Sequence, residues 1–130
     1  MMFVDRQATE PMLGLFTEVD LAAQPERSQI VSPAHDLLVK LGHDMLRLSQ
    51  LDTATYRLQN ITPAAQGAEI DFILTDEPVL IGRSVTPLLR LGPYVSRRHL
   101  EVARTADCLR FTDTTSHYGS WLMAYPGDLR

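Results

Sequence analysis

This sequence holds a single cysteine, Cys108, among its 130 residues. One cysteine excludes an internal disulfide framework and fits a reducing compartment, so a cytoplasmic location is expected. Lysine is nearly absent as well: of twelve basic residues, eleven are arginine and only Lys40 is lysine. Arginine is the better fork for phosphate or carboxylate. A GC-rich genome explains the same total, which leaves the local clustering of arginines as the informative part. No apolar run approaches the roughly eighteen residues of a membrane span. The opening MMFVDRQATEPMLG has early acids and no long apolar core, unlike a secretory signal. No membrane partner is therefore expected. The formal net charge of −4 argues against a general nucleic-acid binder.

What is present is an ordinary core, with hydrophobic residues at 45%. The length suits one domain with an added N-terminal element. The expected division is an N-terminal extension over 1–53 and a β-domain over 54–130. LGLFTEVDL (13–21) reads as a short strand or a helical turn between Pro11 and Pro25, and QPERSQ as a loop. SPAHDLLVKLGHDMLRLSQ (32–50) reads as a helix over about 33–50. Ser32 suits an N-cap, Pro33 the first helical position, and Arg47 the negative end of the helix dipole. Leu37, Leu38, Leu41, Met45 and Leu48 then form one apolar stripe.

From residue 54 the period changes to two. TYRLQNI (55–61), AEIDFIL (68–74), VLIG (79–82), PLLRL (87–91), HLEVAR (99–104), CLRFTD (108–113) and SWLM (120–123) read as short strands bounded by turn residues. That spacing predicts a mainly β fold, a β-sandwich. Trp121, Leu122, Leu109 and Phe111 are expected in its core, with Cys108 as a small hydrophobe.

Several residue types invite catalytic readings and fail on spacing. His35-Asp36 and His43-Asp44 place two histidines eight apart, where helical zinc ligands need a spacing of four. They read as a solvated helix face; no metal or cofactor is expected, and a metal hydrolase is remote. Ser96, His99 and Asp113 supply the types of a hydrolase triad, but without a G-x-S-x-G elbow or an α/β sheet. No enzymatic activity is expected.

The segment IGRSVTPLLRLGPYVSRRHLEV (81–102) carries four of the twelve basic residues and one acid, Glu101. Its Gly82-Arg83-Ser84 ends one strand and its Ser96-Arg97-Arg98-His99 opens another. Thr112 to Trp121 (TDTTSHYGSW) then spans a loop. In this order the three blocks resemble the forkhead-associated (FHA) family, with its G-R pair, S-x-x-H, and D-x-x-S-x-N-G-T. The resemblance covers residues 55–125.

That resemblance implies a β-sandwich whose loops at one end bind phosphothreonine peptides. It assigns the phosphate to Arg83 and Ser96, with Arg97 as a further contact. It makes His99 a loop brace, and gives Gly82, Asp113, Ser116 and Gly119 structural places in the motif. The residue chemistry agrees. A phosphate brings about −1.5 to −2 charges and three acceptor oxygens, and an arginine fork grips such a group with charge-assisted bonds. Turns serve because several of them converge on one anion.

Two features depart from the pattern. Tyr118 stands where the family has Asn, so an amide contact to the peptide main chain is lost. His117 stands where a hydroxyl residue often helps with phosphate, and adds charge when protonated. Tyr94, beside Pro93, either lines the ligand groove or packs within its loop. The family also continues past this loop with several more strands, whereas only AYPGDLR follows Met123 here. Truncation, a strand from around Leu13 to Leu21, or completion by a second chain each account for that. The favoured arrangement is helix 33–50 and the N-terminal strand packed on the sandwich.

The expected function is a non-catalytic interaction module in Ser/Thr kinase signalling, whose partner is a Thr-phosphorylated protein. The alternative is a degenerate FHA-like scaffold for phospho-independent interaction or self-association as a homodimer, through the stripe of Leu37, Leu41, Met45 and Leu48.

Overall fold

A computed structural model describes residues 16–130. Ten strands build it: β1 (Thr17–Asp20), β2 (Ser28–Val31), β3 (Leu37–Leu41), β4 (Asp44–Gln50), β5 (Thr55–Asn60), β6 (Glu69–Ile73), β7 (Val79–Ile81), β8 (Leu100–Thr105), β9 (Cys108–Asp113) and β10 (Ser120–Ala124). They form two antiparallel sheets, in the orders β1-β10-β3-β4-β5-β6 and β2-β9-β8-β7. The expected β-sandwich is therefore present, and the strands read from 54 onward stand close to their expected bounds. PLLRL is the exception. Pro87–Leu89 forms a short 3-10 turn and Arg90 turns left-handed at φ 51, so this segment is a loop.

The helix expected over 33–50 does not form. Its sequence is the β3–β4 hairpin, with Leu41 opposite Asp44 and Gly42-His43 as a two-residue turn. Two periodicities compete in this sequence. The stripe Leu37, Leu38, Leu41, Met45, Leu48 fits a period of 3.6, but Leu37, Val39 and Leu41, then Leu46 and Leu48, fit a period of two across the turn. Tertiary burial selects the second: these five are all at or below 3% exposure. Two-residue hairpin turns favour a left-handed glycine at their first position, and Gly42 has φ 58. Ser32 does not cap a helix; its hydroxyl accepts the Ala34 N–H in a local turn. The described part of the expected extension, residues 16–53, thus supplies β1–β4 to both sheets rather than covering them with a helix.

This answers the expected shortage of strands after the third motif. β10 is flanked by β1 and β3, and β9 by β2. The chain upstream of the first motif fills these places. The N-terminal strand expected around Leu13 to Leu21 appears as Thr17–Asp20, paired with Trp121 to Ala124; residues 13–15 lie outside the described residues. The chain's last residues join in too, with Leu129 bridged to Val31 and the Arg130 N–H donating to the Ile30 carbonyl.

The core lies between the sheets, where Leu21, Val39, Leu41, Leu46, Leu58, Ile81, Leu100, Phe111 and Leu122 are buried. Leu109, Phe111 and Leu122 hold the expected core places. Trp121 does not. It is half-buried, and Lys40 lies 4.9 Å above its ring. Alternation forces this, because Leu122 takes the inward position.

Three glycine-to-alanine variants separate backbone strain from close approach. Gly42 is left-handed and a Cβ there would stand 2.2 Å from the Tyr94 carbonyl oxygen; Gly67 has φ 95 and open space; Gly127 has neither constraint. Gly67→Ala should cost about 1–2 kcal/mol, Gly127→Ala less than about 0.5 kcal/mol, and Gly42→Ala clearly more than either. Urea unfolding checks the order, and equal losses at Gly42 and Gly67 would contradict the close approach.

Candidate functional site

At the end of β7 the chain turns through Gly82, and a Cβ on Gly82 would lie 2.2 Å from the Arg97 carbonyl oxygen. Only glycine allows that contact, which lets two turns run side by side. The Arg83 N–H donates to the Ser96 carbonyl at 3.0 Å and the Ser84 N–H to the Arg97 carbonyl at 3.2 Å. The Ser84 hydroxyl adds a bond to the Arg97 carbonyl at 3.1 Å. Thr86 closes the first turn: its Oγ1 accepts the Gly82 N–H at 3.2 Å and donates to the Gly82 carbonyl at 2.8 Å.

This pairing fixes Arg83. Its Nε donates to the Val95 carbonyl at 2.9 Å, which anchors the guanidinium by one N–H. Its side chain is exposed, and the outer Nη groups have no protein acceptor among the described residues. Arg97 and Arg98 are exposed on the second turn. The Ser96 Oγ accepts the His117 N–H at 3.2 Å, so its own proton remains available to donate outward.

His99 is fully buried between these turns and the β9–β10 loop. Its Nδ1 accepts the Ser96 N–H at 2.9 Å, and its Nε2 meets the Gly119 carbonyl at 2.8 Å. A backbone N–H only donates and a carbonyl only accepts, so the ring is neutral with its proton on Nε2. Burial pushes the imidazole below its ordinary 6.5, opposed in part by the Gly119 carbonyl and the Asp113 charge.

Asp113 organises the β9–β10 loop. It accepts Arg27 Nη2 at 2.7 Å, the Ser116 N–H at 2.8 Å and the Ser116 hydroxyl at 2.6 Å, and the Ser120 hydroxyl. Ser116 Oγ in turn accepts the Gly119 N–H at 3.0 Å. Burial alone would raise the Asp113 pKa, but the bonds from Ser116, Ser120 and Arg27 outweigh it and hold it at about 2. Arg27 reaches Asp113 from a strained turn, where Glu26 and Arg27 both have φ 56 and the Arg27 Nε is buried without a partner.

A third turn meets this end of the molecule. The Gly42 N–H donates to the Gly119 carbonyl at 3.1 Å, which brings His43 beside the loops. His43 stacks on Tyr94 with ring centroids 4.1 Å apart. Tyr94 meets Tyr118 edge-on at 5.1 Å, and Tyr118 meets His117 at 4.7 Å.

The sequence-expected residues Arg83, Ser96, Arg97, His117 and Tyr118 thus sit at one end of the sandwich. Gly82, His99, Asp113, Ser116 and Gly119 form the hydrogen-bonded frame under them. Sequence reasoning missed Arg27, Thr86 and His43. His43 was hidden by the helical reading, and the only signal for it was the Gly-His pair between two alternating runs. Ser96, His99 and Asp113 form no relay, because His99 contacts the Ser96 backbone N–H and Asp113 bonds Arg27, Ser116 and Ser120. The other paired histidine, His35, bonds Asp128 at 2.9 Å, away from His43. Among the described residues, no group of three or more His, Cys, Asp or Glu is placed to hold a metal ion.

Acid should destabilise this frame in two steps. His99 and Asp113 both have depressed pKa values in the folded chain, so the unfolded chain takes up each proton first. Stability present above pH 6.5 falls as pH drops from there towards the lower folded value of His99. A second loss, on the order of 2 kcal/mol, spans about 3.8 to about 2 as Asp113 is protonated. Denaturant unfolding against pH checks both, and stability that rises on acidification from 6.5 would contradict the buried neutral imidazole. Asp113→Asn should cost about 2–3 kcal/mol, since Arg27 loses its charged partner but is itself partly solvated.

Comparisons with protein-family models, curated proteins and solved structures find no match.

Proposed function

We propose that this chain is a non-catalytic phosphothreonine-peptide reader of the FHA type. One observation carries the reading. Arg83, anchored by one N–H with its Nη groups outward, and the Ser96 hydroxyl, with its proton available, stand on two turns locked by the Arg83 N–H to Ser96 carbonyl bond. Donors on rigid, neighbouring turns suit an anion with several acceptor oxygens. Arg97 and Arg98 add positive charge at the rim. Asp44 and Asp113 are buried and turned inward to Asn60, Gly92, Arg27 and the loop serines. A Thr-phosphorylated protein in a cytoplasmic kinase pathway is the partner this reading names. A Kd near micromolar, about −8 kcal/mol, would be ordinary for a short peptide on such a site.

The scaffold reading retains Tyr118 in its favour, but three of the four residues of its stripe are buried. Leu37, Leu41 and Leu48 are core residues of β3 and β4, whereas Met45 is half-buried, so the stripe is not one exposed face.

Fluorescence polarisation with a degenerate phosphothreonine library tests the proposal. Binding should require the phosphate. Arg83→Ala should weaken it about 10- to 100-fold, as expected for charged hydrogen bonds, and Ser96→Ala about 5- to 10-fold. Equal binding to phosphorylated and unphosphorylated pools, by protein with an unchanged circular dichroism spectrum, would reject the reader in favour of the scaffold.

A further inference from the structure

Tyr94 and Tyr118 are among the few large hydrophobic side chains that remain exposed, at 42% and 47%. They are also in contact with one another. Isolated exposed apolar residues need no explanation, but a contiguous patch beside a polar site does. Three separate turns build this one. His43 comes from the β3–β4 turn, Tyr94 from the segment before β8, and Tyr118 from the β9–β10 loop. The backbone holds them there: the Gly42 N–H is bonded to Gly119, and Gly42 lies against the Tyr94 carbonyl. Among the described residues no hydrogen bond engages the His43 ring or either tyrosine hydroxyl.

The patch adjoins the donors already described. Tyr94 is two residues before Ser96. Tyr118 follows His117, whose N–H bonds the Ser96 Oγ. An extended peptide fixed by an anion at Arg83 and Ser96 would therefore lay a neighbouring side chain on these rings. Aromatic faces attract cations, but Arg83, Arg97 and Arg98 on the adjoining turns oppose a cationic side chain. An uncharged flat ring gains contact area with the tyrosines and His43 without that repulsion. A proline adds a backbone already extended, which lowers the ordering cost.

We infer that His43, Tyr94 and Tyr118 form a second subsite, which selects a proline or aromatic residue at one fixed position beside the phosphothreonine. This inference rests on the phosphopeptide reading and names its sequence preference.

The test is a peptide library with phosphothreonine fixed and the flanking positions degenerate, bound by the wild-type chain, Tyr94→Ala, His43→Ala and Arg83→Ala. The wild type should enrich ring residues at one position. In a peptide selected this way, replacing the ring with alanine should weaken wild-type binding about 10-fold. The same replacement should change Tyr94→Ala binding by less than about 2-fold, while phosphate dependence persists. Phosphate-dependent binding with no ring preference would overturn the subsite and leave the reader standing. Ring preference unchanged in both Tyr94→Ala and His43→Ala would also overturn it. Loss of phosphate dependence in the folded wild-type chain would overturn both. Circular dichroism establishes folding of each variant, and because Tyr94 and His43 are exposed, their truncation should leave it unchanged.

Discussion

The neutral imidazole of His99 is the contact on which the arrangement of the loops depends. Its two nitrogens connect the turn at Ser96 to the loop at Gly119, while its own backbone bonds Ile81 and Thr114. The end of β7, the turn at Ser96 and the β9–β10 loop therefore converge on one residue. Only an imidazole offers a donor and an acceptor on opposite sides of one flat, buried ring, and only the neutral form offers both. Protonation would turn Nδ1 from an acceptor into a donor facing the Ser96 N–H. That sets two donors against each other beneath the hydroxyl and guanidinium that face solvent.

Asp113 holds the loop that His99 touches, and the chain accepts local strain to complete it. Two consecutive left-handed residues, Glu26 and Arg27, cost about 1–2 kcal/mol each. The unpartnered Arg27 Nε adds a desolvation penalty. Against this stands a buried carboxylate that would otherwise lack a cation. Ser116, Ser120 and Arg27 together satisfy it strongly enough to hold its pKa at about 2. A residue from the turn before β2 is thereby tied to the end of β9, so these two neighbouring strands of one sheet are joined at the candidate site by an ion pair as well as by their ladder.

Legibility differed sharply along the chain. The motif half read well because its strands alternate cleanly and its turns carry Gly, Ser and Asp at places with local jobs: Gly82 allows close approach, and Ser116 closes a loop on Asp113. The first half read poorly where local signals conflicted. In 32–50 a Ser-Pro start and an i, i+3, i+4 leucine pattern imitate a helix, and only burial between two sheets decides for the hairpin. PLLRL failed for the opposite reason. Leu89 and Leu91 are buried while Leu88 is 73% exposed, an alternation that imitates a strand, but Pro87–Leu89 forms a 3-10 turn and Arg90 turns left-handed. Arg27 was illegible in principle, because its partner lies 86 positions away.

The order of the strands bears on how the candidate loops are held. A loop needs its flanking strands held in register; it does not need their neighbours to come from one side of the sequence. β10 is held by β1 and β3, and β9 by β2, although all three precede the first motif. Thr17 is opposite Ala124 and Leu129 is bridged to Val31, so the segments upstream and downstream of the motifs meet in the same two sheets. The hydrogen bonds that frame Arg83 and Ser96 are made within the motif half, apart from Arg27 on Asp113 and Gly42 on Gly119. Those two exceptions come from turns next to the upstream strands, which also carry His43 to the tyrosines. The upstream strands therefore complete the sandwich and at the same time supply the part of the candidate surface that the motif alone does not encode.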